Sequence, residues 1–174
     1  VAQLIPRKNH ITLIQAVSEM KRPDFHLFIC GDGVQLPQLQ EAAERLGIKN
    51  QIHFLGFRRD IYKLCSAADI FLFASLQEGL PVAVMEAMAC GLPMVCSDIR
   101  GNRDLIVADK GGYLCDPRDV SAFVKAISKM LEDREALLKM KQFNLERIQL
   151  YRQEKIVGQM AALYQDMAQD HIGA

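Results

Sequence analysis

Apolar residues fall into two alternating kinds of run along the chain. Short blocks are apolar on nearly successive residues: His26-Leu27-Phe28-Ile29-Cys30, Ile52-His53-Phe54-Leu55, Ile70-Phe71-Leu72-Phe73-Ala74 and Pro93-Met94-Val95-Cys96. Strands read this way when both faces of a sheet are covered. Between the blocks, apolar positions recur every three or four residues, as Ile11, Ile14, Val17 and Met20 do, which predicts a helix over 10–20. Further helices are predicted over 36–46 (closed by Gly47), 61–67, 82–90, 119–131, 133–141 and 151–167, the last with Ile156, Met160 and Leu163 on one side. Val1 to Ile5 reads as an opening strand and Gly112 to Cys115 as a short late one. The alternation of strand and helix, ahead of the closing helices, predicts an α/β fold with a doubly wound, mostly parallel sheet. No internal repeat or low-complexity linker interrupts it.

The richest junction follows Ala74, where the strand pattern gives way to Glu78-Gly79-Leu80-Pro81-Val82-Ala83-Val84-Met85-Glu86. Glycine and proline stop the strand, and Pro81 suits the first helical position because a helix cannot use that N–H internally. Good helix formers then run to Cys90, and Gly91 with Pro93 ends them. Such a helix begins at the carboxyl edge of the sheet, where its unpaired N–H groups take phosphate or hydroxyl oxygens. Carboxylates repel phosphate but accept from hydroxyls, so Glu78 and Glu86 point to a sugar carried on a phosphate.

Two glutamates with seven residues between them, Gly79-Leu80-Pro81 after the first, and the run from Glu86 to Pro93 resemble the nucleotide-sugar motif of retaining GT-B glycosyltransferases of the family-4 (group 1) type. The resemblance extends from Gln3–Lys8 through Ile29–Gly33, His53–Gly56 and Ala67–Asp69 to Ser97–Ile106. It covers one of the two domains of such enzymes, the C-terminal, Rossmann-like, donor-binding one, and implies that the final helix crosses back to the N-terminal domain. By this resemblance Glu86 accepts from the ribose hydroxyls, and Glu78 holds the transferred sugar as the catalytic residue. The N–H groups of Gly79, Leu80 and Val82 meet the sugar or the β-phosphate, Lys8 meets the diphosphate as a point charge, and Arg58 lies near the base. The donor is a UDP-sugar by the family's habit, with GDP- and ADP-sugars as alternatives. No cofactor or essential metal is implied, the leaving diphosphate being stabilised by cations and helix N–H groups.

One position departs from the pattern. Gln3 stands where many members carry an arginine, and a neutral amide cannot give the charge-assisted bidentate contact. Arg7, Arg100 and Arg103 are the candidate replacements, the last two expected in a loop after the Pro93 strand, and Arg103 is included among the substrate-binding residues. The segment Arg100-Gly101-Asn102-Arg103-Asp104 is similar to that of bacterial exopolysaccharide, capsule and lipid-linked oligosaccharide enzymes. That implies a glycan or polyprenyl-linked acceptor, bound through the N-terminal domain, and peripheral association of the full-length protein with the inner membrane. A non-catalytic nucleotide-binding module and half of a GT-B-fold UDP-sugar epimerase remain alternatives. A nicotinamide enzyme is disfavoured, because Gly31-Asp32-Gly33 does not continue as Gly-x-Gly-x-x-Gly into a helix. His10 reads either as a phosphate neighbour or as a packing residue, His53 as a core histidine, and Met85, Met88 and Met94 as core fillers.

Composition adds limits. The 174 residues suffice for one domain with a sizeable core, and opening at Val1 inside an extended run they are expected to be an excised domain (1–174) of a longer protein. Lys and Arg (21) balance Asp and Glu (21), so no global field favours nucleic acid or an anionic membrane. No run approaches the roughly 18 apolar residues of a membrane span, and no signal peptide is expected at the start of these residues. Five cysteines without a Cys-x-x-Cys pair read as buried thiols of a reducing, cytoplasmic compartment rather than a metal site.

Overall fold

The computed structural model describes residues 1–172, with side chains through Gln165 and at Met167. The apolar blocks become β1 (Leu27–Ile29), β2 (Ile52–Phe54), β3 (Phe71–Phe73) and β4 (Met94–Ser97), followed by β5 (Gly112–Cys115). Helices α1 (His10–Met20), α2 (Leu36–Arg45), α3 (Ile61–Ala67), α4 (Val82–Ala89), α5 (Arg100–Leu105), α6 (Val120–Glu132), α7 (Arg134–Arg147) and α8 (Gln153–Ile172) alternate with the strands and then follow them. The α/β reading holds, with every strand pair parallel.

The expected single sheet is two: β1 pairs with β2, and β3-β4-β5 form the other. The reason lies in Val1 to Ile5, which does not form the expected strand. Ala2 N–H donates to Cys30 O and Leu4 N–H to Asp32 O, both at 2.9 Å, so this segment meets only the carboxyl end of β1. Gly31, at φ 137°, allows that approach, since a Cβ there would stand 2.0 Å from Ala2 O. A small cavity lined by Val1, Ala2, Leu27, Ile29, Leu72 and Phe73 separates β1 from β3.

Two hydrophobic cores result. One packs α1, α2 and α6 around β1 and β2 through Leu4, Ile14, Val17, Leu39, Phe123 and Ile127, and it takes Ala74, Val95 and Cys115 from the other sheet. The second packs α3, α4 and α5 on β3 and β4 through Phe71, Val84, Met88, Met94 and Leu105. The buried face of α1 is wider than the expected stripe, since Leu13 and Ala16 join it while Ile11 and Met20 are only partly buried. Met88 and Met94 are fully buried, as core fillers should be. The long α7 runs six residues beyond its expected end, and Asn144 on it donates to Leu92 O and Gly111 O at 2.8 Å, tying the helix to two connections.

Local expectations fail at three further points. Pro81 precedes α4 at ψ 107° instead of being its first residue, because extended backbone there lets its carbonyl accept from Val84 and Met85. The segment expected as a loop after β4 is the helix α5, whose final carbonyls are taken up by Arg147 Nε (to Leu105 O) and by Tyr151 Oη (to Asp104 O). His53 is no core residue: it stacks on Phe28, itself 57% exposed, and its Nε2 lies 3.0 Å from His26 Nδ1. Along α8, Ile156, Val157, Met160, Leu163, Tyr164 and Met167 are exposed.

His10 opens α1 buried, with no hydrogen-bond partner at Nδ1. Desolvation, with the nearby Lys8 adding to it, lowers its pKa from 6.5 to about 4. The unfolded chain therefore takes the proton first, so this stability is complete above about pH 6.5 and lost as pH falls toward 4, to the extent of ~3 kcal/mol. His10→Gln should flatten the fall of the thermal midpoint between these limits; an unchanged slope would remove His10 as its cause. Asn144→Ala leaves two buried carbonyls without donors and should cost about 2–4 kcal/mol in denaturant unfolding.

Candidate functional site

Parallel strands bring their carboxyl ends to one edge, and four connections converge there. The 3-10 turn Pro6–Lys8 carries two cations, and Asn9 closes it in the left-handed conformation at φ 53°. Asn9 N–H donates to Pro6 O, while its Nδ2 donates to Ala74 O at 3.1 Å and Pro117 O at 2.8 Å. The turn is thereby fixed against the end of β3, and Leu76 N–H adds a bond to Arg7 O at 2.8 Å.

That placement puts Lys8 on Glu78. Lys8 Nζ lies 2.6 Å from Glu78 Oε1 and 5.5 Å from the centre of the Phe73 ring, and the two charged side chains are 16% and 10% exposed. Removing one partner from a buried pair costs about 3–5 kcal/mol, because the other is left stranded, so each holds the other in place. Ser75 Oγ donates to the same oxygen at 2.6 Å. Among the described residues, the ion-pair partner of Glu78 Oε2 is the Arg7 guanidinium, at 3.9 Å, while Arg7 Nη1 donates to Gln77 O. One carboxylate oxygen thus carries two hydrogen bonds and the other carries none among the described residues.

The turn after Glu78 presents backbone donors. The N–H groups of Gly79, Leu80 and Val82 make no hydrogen bond among the described residues, and Gly79, Leu80 and Val82 are exposed. From behind, Gly101 of α5 presses on this turn: a Cβ there would stand 2.5 Å from Gly79 O and 2.8 Å from Glu78 O. Glycine at 101 is what lets α5 support the turn. Glu86, on the second turn of α4, is exposed, and its carboxylate forms no ion pair or hydrogen bond among the described residues.

Of the other residues singled out, Lys8, Glu78, Gly79 and Arg7 come together, while Arg58 and Arg103 are committed locally. Arg103 forks onto Asp98 at 2.6 and 2.9 Å and holds that carboxyl below the usual carboxylate range. Arg58 does the same to Asp60 at 2.9 and 2.7 Å. Arg100 is exposed at the start of α5 without an ion pair among the described residues, and Gln3 is exposed as well. Of the three candidate cations, Arg7 is the one that lies beside Glu78. Burial pushes the thiols of Cys65 and Cys115 up to about 11 and raises that of Cys96 too, so none of them is a thiolate at neutral pH. Sequence reasoning missed Asn9, Ser75, Ser97 and Asn102. Asn9 alone carried a signal, an asparagine directly before a helical pattern.

The family description "Glycosyl transferases group 1" matches residues 1–147. An α-1,3-galactosyltransferase of Escherichia coli that acts from UDP-Gal on α-D-GlcNAc-diphosphoundecaprenol is 30% identical over 172 residues, 96% of this chain and 44% of its own length. A Campylobacter jejuni 4-α-N-acetylgalactosaminyltransferase acting on a diphospho-undecaprenol glycan is 33% identical over 134 residues, 76% of this chain and 36% of its own. Crystal structures of Anabaena HepE with UDP and with UDP-glucose superpose at TM-scores of 0.90 and 0.88, with 26% and 27% identity, over 95% of this chain and 47% of HepE. The chain spans under half the length of these relatives. The family match covers most of the sequence, including the Glu78–Glu86 motif and the Lys8 turn, and the chain belongs to the group 1 glycosyl transferases.

Proposed function

We propose that this chain is the donor-binding half of a retaining glycosyltransferase that moves a sugar from a UDP-sugar to a lipid-linked glycan in bacterial polysaccharide assembly. The observation that carries the reading is Glu78, fixed by Lys8 and Ser75 through one oxygen while the other stays open beside the unused N–H groups of Gly79, Leu80 and Val82. A carboxylate so held accepts from sugar hydroxyls, and the adjacent N–H groups and Lys8 take the charge of the diphosphate. HepE, with UDP-glucose in its crystals, supports the donor class. The two undecaprenol-diphosphate relatives support the acceptor class.

Each residue then has one task. Glu86, exposed on α4, accepts from the ribose hydroxyls. Lys8 gives up Glu78 for the phosphates as donor arrives, and Arg7 adds the second positive charge expected of the missing arginine. The reaction breaks the bond between the anomeric carbon and the β-phosphate oxygen and forms one from that carbon to an acceptor hydroxyl oxygen. The hydroxyl's proton leaves to the departing phosphate or to solvent, and the released UDP carries the negative charge that these cations meet. No essential metal is required for this, since the cations and N–H groups supply the stabilisation. The apolar stripe of α8 is available to the domain that would bind the acceptor. No helix among the described residues is long and apolar enough to cross a membrane.

Calorimetric titration with UDP, GDP, ADP and NAD should show UDP preferred, with Kd at about 10 μM to 1 mM for half a cleft. Glu86→Ala should lose about 1–3 kcal/mol of that binding; a variant that binds UDP as the parent does would remove Glu86 from the ribose. Lys8→Gln should weaken UDP roughly tenfold or more while leaving uridine alone. Equal loss for both ligands would show that Lys8 acts on the fold and not on the diphosphate.

A further inference from the structure

Behind Glu78 runs a buried polar chain that the nucleotide and sugar contacts above do not use. Ser75, Ser97 and Asn102 come from the end of β3, the end of β4 and the first turn of α5, and all three are fully buried. Burying a hydroxyl or amide costs free energy unless its hydrogen bonds are made. Here the donors are used in one direction, while Asn102 Oδ1 is left without a partner among the described residues. The Ser75 hydroxyl makes its shortest contact to Glu78, with Arg7 O and Gln77 O farther off at 3.2 and 3.3 Å. Asn102 Nδ2 donates to Ser97 O at 2.8 Å and Ser97 Oγ at 3.1 Å, Ser97 Oγ donates to Ser75 O at 2.5 Å, and Ser75 Oγ donates to Glu78 Oε1 at 2.6 Å.

We infer that Ser75, Ser97 and Asn102 are positioning residues that hold the Glu78 carboxylate with its second oxygen turned toward the transferred sugar. This rests on the assignment of Glu78 to that sugar. The argument is one of division of labour. Lys8 shares Oε1 with Ser75 in the free protein, but Lys8 is needed by the diphosphate once donor is bound. When its ammonium turns to the phosphates, the Ser75 hydroxyl is the donor that remains on Oε1, and a hydroxyl-to-carboxylate bond is charge-assisted and short. Ser97 holds the carbonyl of Ser75, and Asn102 holds Ser97, so the hydroxyl is fixed from two strands and a helix. Gly101, next to Asn102, sets α5 against the same turn.

The test is the ratio of UDP-sugar to UDP affinity, measured by calorimetry on this chain with UDP and the tightest-binding of UDP-glucose, UDP-galactose and UDP-N-acetylglucosamine. Ser75→Ala should lower that ratio about tenfold, and Ser97→Ala, one link further back, should lower it by less. A structural effect would weaken both ligands together and leave the ratio where it was; that result, or no change, in folded Ser75→Ala and Ser97→Ala proteins overturns the inference. Glu78→Ala, measured alongside, separates the two readings. If it lowers the ratio while the serine variants do not, the chain of positioning residues fails and the sugar assignment stands. If Glu78→Ala leaves the ratio unchanged, Glu78 does not hold the sugar and both fall.

Discussion

Asn9 stands in the left-handed conformation, and its amide bridges the carbonyls of Ala74 and Pro117. Three pieces of chain meet on that one side chain: the turn with Arg7 and Lys8, the end of β3, and the approach to α6. Its Oδ1 accepts from Thr12 Oγ1 at 3.1 Å, which brings the first turn of α1 in as well. Asparagine tolerates this backbone region better than most residues, and its two amide protons satisfy carbonyls that the strand and loop leave over. Lys8 lies on Glu78 because Asn9 holds the turn there.

From that fixed point the charges at the edge sort themselves by distance. Lys8 and Glu78 are close and mostly buried, so each depends on the other. Arg7 is half exposed at 3.9 Å and is worth less to Glu78 in the free protein, which leaves it able to serve a ligand. Arg58 and Arg103, by contrast, lie in bidentate pairs with carboxylates five or fewer residues away in the chain. A phosphate would have to compete with a well-formed fork at either. Within a net charge of zero, Arg7 and Lys8 are the cations placed at the edge where the backbone donors and Glu78 converge.

The strands and helices were legible because apolar blocks and three-to-four spacing reflect burial directly. The 61–67 helix and the 10–20 helix needed nothing more. Glu78, Glu86 and Lys8 were legible as a motif, though their geometry was not. Arg100 to Leu105 was illegible as a helix: it is polar, contains glycine, and owes its order to Asn102 buried under β4, to Gly101 against Gly79, and to Arg147 and Tyr151 on its last carbonyls. Apart from the Asn102–Ser97 bond, five positions apart, those contacts come from residues 20 to 50 positions away, and no local pattern carries them. Ser75 and Ser97 were missed likewise, since a serine ending a strand looks the same whether it faces solvent or a carboxylate.

The division of the sheet has its own consequence. In a parallel ladder, residues alternate in which neighbour they bond, and Ile29 O accepts from Leu55 while Phe71 N–H donates to Pro93. Phe28 and Leu72 therefore turn their peptide groups toward the cavity between β1 and β3, where no strand pairs with them. Cooperativity between the halves passes through side chains, above all Ala74, Val95 and Cys115 packed into the α1 and α6 core, and not through a continuous ladder. Without a shared ladder the two sheets are joined through this side-chain core, and the Lys8–Glu78 contact ties the turn before α1 to the end of β3 beside it.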